Sequence, residues 1–371
     1  MTRAPPPSKV EAMHHRGLAI GLVVTMASGC KADEVPAASP TPDVSEVEGT
    51  EPAADAGDGN GSEQTTRKGG GLASLTNEII DEARATAPET TMLIPDSAEY
   101  VTRLRLAELL AYPPAKELWR KLEDGDDDFR SAIDVFLECV PSLELLDDVV
   151  IGFDPDDHLA LAAHAPNLGK DETWRCFGDK AVARGKDWEL TLTGTARGEG
   201  PQLRGNDGET GYFVDDDTVV MVSKEWDAEV VALLGGGGTS AVKGRLAAPA
   251  GRVGTDSPLW LAGRIGLTAA TGLSSTPFAG MTDLHFALRV EGDDLVLDTA
   301  LDAGEAADAT RMRDELERQF EEYKSFLPMM GFPASVTTKI AFETEGDLVT
   351  LTLPLTKSEI DEIRGGIERT F

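Results

Sequence analysis

The chain has 371 residues and a formal net charge of −32 at pH 7, because 66 acidic residues oppose 34 basic ones. A field of this sign repels phosphate backbones, so we do not expect nucleic acid as a partner. It also repels anionic membrane surfaces and attracts divalent cations and basic proteins.

A short apolar run lies near the N-terminus. Residues 17–26, GLAIGLVVTM, follow a basic stretch that includes Arg3 and Arg16, and small residues lead into Cys30. Ten residues are too few for a membrane-spanning helix, which needs about 20. A basic stretch, an apolar run and small residues in this order are typical of a secretory signal peptide. The sequence therefore predicts a signal peptide over residues 1–29.

The tripeptide ASG at 27–29, followed by Cys30, resembles the lipobox of bacterial lipoprotein precursors, although Ala27 stands where that family usually has Leu. The resemblance implies cleavage before Cys30 and a diacylglycerol on its sulfur, so that the protein is anchored in the cell envelope. Lys31 and Ala32 replace the Asp of inner-membrane retention, which implies the outer membrane. An ordinary signal peptide with an unrelated cysteine is the alternative.

Composition changes abruptly after Cys30. Residues 31–71 contain no aromatic residue, many Pro, Ala, Ser, Thr and Gly, and an excess of acidic residues. Such a segment buries too little apolar surface to offset its chain entropy. We therefore predict a lipidated cysteine and a disordered acidic tether over 30–71, ahead of a globular part that starts at Leu72.

Cysteine usage favours an oxidising compartment. The chain has three cysteines, Cys30, Cys139 and Cys176. If Cys30 carries lipid, an even number remains, which predicts a Cys139–Cys176 disulfide. Two unrelated buried thiols are the alternative. The chain has no CxxC motif, and no histidine lies at ligand spacing from Cys139 or Cys176, so the sequence does not favour a metal site.

The start of the globular part has mixed patterns. Residues 72–88 have the apolar spacing of an amphipathic helix. TMLIP (91–95) and EYVTRLRL (99–106) predict strands, whereas AKELWRKLE (115–123) and DFRSAIDVFLEC (128–139) predict helices. The first half thus begins with a section rich in helices.

One pattern then recurs along the chain. Apolar or β-branched runs separated by Asp and Gly predict hairpins at 148–165, 211–223, 284–301 and 337–355. A helical pattern follows each hairpin, at 171–184, 223–234, 302–327 and 356–371. Ser223 is the predicted N-cap of the second helix, and Ser358 with Asp361 forms the predicted capping box of the fourth.

This repeated ββα pattern predicts an α+β fold, with antiparallel sheets and helices on one face. The glycine-rich stretch 235–257 suggests two similar lobes, at 72–245 and 246–371. The arrangement is similar to uncharacterised bacterial envelope proteins built from two αβ lobes, a resemblance that implies a fold and no mechanism. The run Gly235–Gly238 follows a helix and lacks the GK[ST] ending of a phosphate loop, so we interpret it as a helix end.

Candidate chemistry is sparse. After residue 30 the histidines are His158, His164 and His285, and the first two lie six residues apart on one predicted strand face. A base formed by His158 with Asp154 or Asp157 is conceivable, yet no nucleophile accompanies it.

Acidic turns at 154–157, 215–217 and 291–294 provide carboxylates that calcium prefers, but none matches the loop of an EF-hand. Turn chemistry explains the same residues without a metal. The apolar loop from Phe326 to Pro333 is either a contact surface or part of the core.

No catalytic residue and no cofactor is assigned. We expect a lipid-anchored cell-envelope protein with a non-catalytic binding or structural role, whose partners are the membrane through Cys30 and a protein or divalent cations. An envelope hydrolase with a carboxylate–histidine site, or a calcium-dependent binding protein, is the alternative.

Overall fold

The computed structural model describes residues 89–125, 127–184, 191–193, 202–204, 209–253, 257–265, 278, 280–330 and 332–370. The predicted signal peptide, the predicted lipidation site at Cys30, the tether and the amphipathic segment 72–88 lie outside these residues.

Nine α-helices are described: α1 (Leu106–Ala111), α2 (Pro113–Gly125), α3 (Asp127–Cys139), α4 (Asp171–Ala183), α5 (Asp227–Leu234), α6 (Ala247–Arg252), α7 (Ala306–Tyr323), α8 (Ala334–Thr337) and α9 (Lys357–Thr370). Short 3-10 helices lie at Thr90–Leu93, Leu143–Leu145, Lys224–Trp226 and Leu327–Met330. No helix in the described ranges is long and apolar enough to cross a membrane.

Twelve strands are described: β1 (Tyr100–Leu104), β2 (Asp148–Phe153), β3 (Leu159–His164), β4 (Thr191–Thr193), β5 (Gln202–Arg204), β6 (Thr210–Phe213), β7 (Thr218–Val222), β8 (Leu259–Arg264), β9 (Asp283–Glu291), β10 (Asp294–Asp302), β11 (Glu343–Glu345) and β12 (Leu348–Leu355). They form one antiparallel sheet in the order β11-β12-β10-β9-β8-β1-β2-β3-β7-β6-β5-β4.

The sheet runs through the expected boundary between lobes. Strand β8 pairs with β1 on one side, placing Leu259 opposite Leu104, and with β9 on the other. Strands from both sides of residue 246 therefore share one sheet, and two lobes are not shown. The sequence pattern did not predict β8, although this strand joins the halves.

The four ββα units are confirmed. The pairs β2–β3, β6–β7, β9–β10 and β11–β12 are antiparallel hairpins, followed by α4, α5, α7 and α9. Two of the hairpin turns place glycine at positive φ, with Gly292 at +68° and Gly346 at +64°. Such turns favour glycine because it has no Cβ to clash there, which explains the Asp and Gly signals of the sequence.

The helices occupy both faces of the sheet, whereas the sequence pattern predicted helices on one face only. We define face 1 by Val150, Ala162 and Val220, and face 2 by Ile151, Leu161 and Val219. Face 1 packs against Trp226 and Val230 of the segment ending in α5, and against residues flanking α6. Face 2 packs against α1, α3 and α4 in the first half of the sheet and against α7, α8 and α9 in the second.

Only the second unit departs from the predicted side. Alternating positions of β7 belong to two different cores, since Val220 lies in the face 1 core and Val219 in the face 2 core. A strand buried on both sides needs a covering layer on each. Helix α5 provides that layer on face 1.

Thr90–Leu93 is a 3-10 helix, so most of TMLIP is not the predicted strand, although Pro95 forms an isolated antiparallel bridge with Ser240. Leu93 and Ile94 enter the core on face 1, where Ile94 lies against the backbone of β2. A Cβ added to Gly152 would lie 2.3 Å from the Ile94 Cγ2 atom. Tertiary packing against this glycine therefore overrides the β-propensity of the segment.

Two predicted caps differ in the structure. The hydroxyl of Ser223 donates to the Leu159 carbonyl oxygen and accepts from the Leu159 N–H, so it ties the chain to β3 and caps no helix. The capping box of α9 is formed by Thr356 and Glu359, two residues before the predicted pair Ser358 and Asp361.

Candidate functional sites

His158 and Asp154 form the first candidate site. The Nδ1 atom of His158 lies 2.8 Å from an Asp154 carboxylate oxygen, and the hydrogen bond to this carboxylate raises the pKa of the His158 imidazole above its ordinary value. The other Asp154 oxygen accepts from the backbone N–H groups of Asp156 and His158. Asp154 thus organises the turn between β2 and β3 and holds the histidine at its end.

No nucleophile accompanies this pair in the described part of the chain. Ser223 is nearby in the fold, but its hydroxyl is bonded to the backbone of Leu159 as both donor and acceptor. The second predicted histidine, His164, is at the far end of β3, on the same face, where it is buried and pairs with the Thr218 hydroxyl at 3.0 Å. A spacing of six positions along an extended strand places the two histidines about 20 Å apart, so they lie in different environments.

The acidic turns use their carboxylates within the protein. Asp215 accepts from the backbone N–H of Asp217, whose own carboxylate accepts from the N–H of Asn167. Asp294 accepts from the N–H of Lys357 at the start of α9. Among the residues that the structure describes, no group of three or more His, Cys, Asp or Glu side chains is placed to hold a metal ion. The turns therefore have a structural explanation in each case.

Cys139 and Cys176 are joined by a disulfide, which confirms the predicted pairing. The bond links the end of α3 to the middle of α4. Beside it, Glu138 of α3 forms ion pairs with Lys180 of α4 at 2.7 Å and with Arg184, the residue that follows the end of α4. These contacts lower the pKa of the Glu138 carboxyl, although its exposure to solvent limits their contribution. The disulfide and the stacking of Phe136 on Phe177, with ring centroids 5.7 Å apart, are therefore the main links between α3 and α4.

A buried polar cluster on face 1 was not predicted. It surrounds His285 of β9, which is 8 % exposed and whose Nδ1 atom has no hydrogen-bond partner among the residues that the structure describes. Arg252 of α6 lies close by and forms an ion pair with Asp302 of β10 at 2.8 Å. Burial lowers the pKa of His285, as does the Arg252 charge, and burial raises the pKa of Asp283, as does the Asp302 charge. The only sequence signal was a lone histidine in a predicted strand.

The remaining candidates have plain geometry. Gly235 follows the last residue of α5 and Gly236 adopts a positive φ of 73°, as expected at a helix end. In the apolar loop after α7, Phe326 is 50 % exposed, as is the last residue of α7, Tyr323, at 59 %, whereas Phe332 packs against the core beneath α8 and α9. The loop thus contributes both to the surface and to the core.

No family model matches the chain, and no curated protein sequence matches it. Three solved structures of TP0453 resemble it distantly. Crystal form III has a TM-score of 0.47 at 10 % identity and covers 75 % of this chain and 99 % of its own. Crystal form IV has a TM-score of 0.44 at 10 % identity and covers 75 % of this chain and 97 % of its own. Crystal form I has a TM-score of 0.42 at 11 % identity and covers 76 % of this chain and 99 % of its own. The protein is thus only distantly similar to TP0453, and its fold is described by its own strand pairing.

Proposed function

We propose that the protein is a lipid-anchored component of the bacterial cell envelope with a non-catalytic binding or structural role. The observation that carries the proposal is the use of cysteine. Cys139 and Cys176 are bonded to each other. The chain has three cysteines, so Cys30 is the one left for another purpose. Its position after an apolar run and small residues is that of the lipid-bearing cysteine of bacterial lipoproteins.

The disulfide also supports export. Such bonds persist in oxidising compartments and are rare where thiols are kept reduced. The full chain has a net charge of −32, and removal of residues 1–29 (Arg3, Lys9 and Arg16 against Glu11) would leave −34, so the exported protein gains no attraction from an anionic membrane surface. Attachment then depends on the covalent lipid, and more than one acyl chain is required for stable anchoring. The residues after Cys30 favour the outer membrane.

A non-catalytic role is supported by how the described polar groups are used. The His158–Asp154 pair closes a turn, Ser223 is bonded to the backbone, and the acidic turns bond to nearby N–H groups. A nucleophile–base pair within hydrogen-bond reach is the usual mark of a hydrolase. The geometry at His158 offers the base without that partner.

The test replaces Cys30 by Ser in the full-length chain and follows mass and location in intact cells. We expect the wild-type protein in the membrane fraction with the mass of a lipidated chain cut before Cys30. C30S should lack the lipid mass and remain uncut or leave the membrane. The double variant C139S/C176S is the matched control and should keep both lipid and location. Unchanged mass and unchanged membrane retention in C30S would refute the proposal.

A further inference from the structure

Helix α6 lies on face 1, against β8 and β9. Its apolar contacts come from Leu246, Pro249 and Val253, which are all buried. Its last residue, Arg252, reaches β10, where its guanidinium pairs with Asp302 at 2.8 Å. The other Asp302 oxygen accepts from the Gly304 N–H at 2.9 Å. One carboxylate therefore fixes both α6 and the turn that leads into α7.

His285 lies beside this ion pair. In the sheet register it is flanked by Ala262 of β8 and Ala300 of β10, so no polar side chain lies directly opposite the imidazole in the two adjacent strands. Charged groups on its side of the sheet lie on each neighbouring element: Arg252 on α6, Arg264 on β8, Asp283 and Arg289 on β9, and Asp298 and Asp302 on β10.

Most of these carboxylates are already engaged. Asp302 is held by Arg252, and Asp298 is held by Arg289 at 2.8 Å. Asp283 has a raised pKa because of its burial and of the Asp302 charge, so it loses its charge readily in acid. A protonated His285 would thus be buried near the Arg252 cation in a medium of low dielectric, and its only nearby counter-charges would be carboxylates that already pair with arginines, such as Asp298 and Asp302.

We propose that the contact between α6 and strands β8–β10 is a proton-operated clasp, in which protonation of His285 releases α6 from face 1. The neutral imidazole is compatible with Arg252 and the closed clasp. The protonated imidazole is compatible with a released helix, where water reaches both cations. This inference goes beyond the proposed function and does not depend on it.

The sign of the pH dependence follows from the direction of the shift. The closed state lowers the pKa of His285 below its ordinary value of 6.5. The clasp is therefore at full strength above about pH 6.5 and weakens as the pH falls through the lowered value, because the released state binds the proton more tightly.

Release would act on the join between the halves of the sheet. The segment before α6 is bonded to the first half, where the Ala241 N–H donates to the Ile94 carbonyl oxygen at 3.0 Å and the Arg245 N–H to Asp96 at 2.6 Å. The segment from Arg252 onward leads to β8. Loosening α6 would expose the Trp260 and Ala262 side of β8 while these bonds persist.

The test is hydrogen exchange of the full-length chain at pH 7.5 and pH 5.0, read by mass spectrometry and corrected for intrinsic exchange rates. We expect protection of residues 246–253 to fall on the order of fivefold at pH 5.0, while protection around the Cys139–Cys176 disulfide is unchanged. H285Q should abolish the pH response. H158Q, the matched control, should retain it. An unchanged protection in the wild type, or the same response in H285Q, would overturn the proposal.

A second measurement covers the case in which H285Q does not fold. The His285 imidazole signal is titrated by NMR in the wild type and in R252Q. We expect a wild-type midpoint below 6.5 and a higher midpoint in R252Q, because one source of the depression is removed. A midpoint that is identical in the two proteins would mean that Arg252 does not face His285, and the clasp would be refuted.

Discussion

The two halves of the sheet, β1–β7 and β8–β12, bury their strands to different degrees. In β2 five of six residues are buried, and in β7 all five are. In β9 only His285 and Ala287 of nine residues are buried, and in β10 only three of nine. The first half is a layer enclosed on both sides, whereas strands of the second half keep many half-buried positions.

The difference shows how each half is stabilised. The enclosed half combines apolar cores on both faces with a disulfide between α3 and α4. Part-buried ion pairs occur in both halves: Arg103–Asp148 joins β1 to β2 in the first, and Arg252–Asp302 beneath α6 and Lys339–Glu359 beneath α9 lie in the second. Apolar burial is insensitive to pH, whereas ion pairs respond to it. We therefore expect packing changes to act mainly on the first half, whereas pH changes should act wherever a titratable group is paired or buried, which the second half tests at Glu359 and His285.

The largest expected effect is loss of the disulfide. The bond joins residues 37 apart in sequence. Replacing both residues, in C139S/C176S, should reduce the free energy of unfolding by about 4 kcal/mol through the added entropy of the unfolded chain. Chemical denaturation measures this directly. The wild type under reducing conditions is the control and should behave like the double variant. An unchanged stability would show that the apolar core alone holds α3 to α4.

A matched pair of valines tests the comparison itself. Val220 of β7 is fully buried in the face 1 core, whereas Val290 near the end of β9 is half-buried. V220A should cost about 2.5 kcal/mol because it leaves a cavity in an enclosed layer, and V290A should cost less than about 1 kcal/mol. Urea denaturation gives both values. Equal costs would mean that the halves are enclosed to the same degree.

Much of this organisation could be predicted from sequence. The hairpins and their helices were predicted because period-2 runs, Asp and Gly turns and helical periodicity are local signals. The packing of α5 on face 1 was not predicted. A clue was present, since TVVMV in β7 is a continuous apolar run, which is typical of a strand covered on both faces.

Long-range features left weaker signals. Strand β8 joins the halves through pairing with β1, more than 150 residues earlier, and nothing local reveals that register. The box at Thr356 and Glu359 competes with a similar pattern two residues later, and the choice depends on Lys339 reaching Glu359 from a distant turn. The His285 cluster likewise depends on Arg252, which only the packing of α6 brings near.

Glu359 provides the pH test of the second half. Burial opposes ionisation of this carboxyl, but hydrogen bonds from Lys339 and Thr356 outweigh it and lower its pKa to about 2. Its contribution is therefore present above about pH 4.5 and lost as the pH falls towards 2. E359Q should cost about 1.5 kcal/mol at pH 7 and much less near pH 2.

The matched control for Glu359 is Glu362, which is exposed on the same helix. E362Q should leave stability unchanged at both pH values, because an exposed surface carboxylate contributes little. Thermal melts at pH 7 and pH 2.5 compare the two variants. A constant difference between E359Q and wild type across this range would show that the Glu359 charge does not anchor α9.

The smallest expected effect is at His158, the first-half counterpart of His285. Hydrogen bonding to Asp154 raises the pKa of His158, whereas burial lowers that of His285. The His158 contribution is therefore full below about pH 6.5 and lost as the pH rises through the raised value. H158Q should cost under about 1 kcal/mol at pH 5.5 and nothing above pH 8, because the pair is partly exposed.

NMR titration of the two imidazoles makes this comparison direct. The His158 midpoint should lie above that of His285, and D154N should lower it, because the amide oxygen still accepts the turn hydrogen bonds but carries no charge. The midpoint of His285 should not change in D154N, since the two residues occupy different parts of the sheet. Equal midpoints in the wild type would mean that a hydrogen-bonded histidine and an unpartnered one share the same environment, and the contrast between the halves would fail at its most sensitive residues.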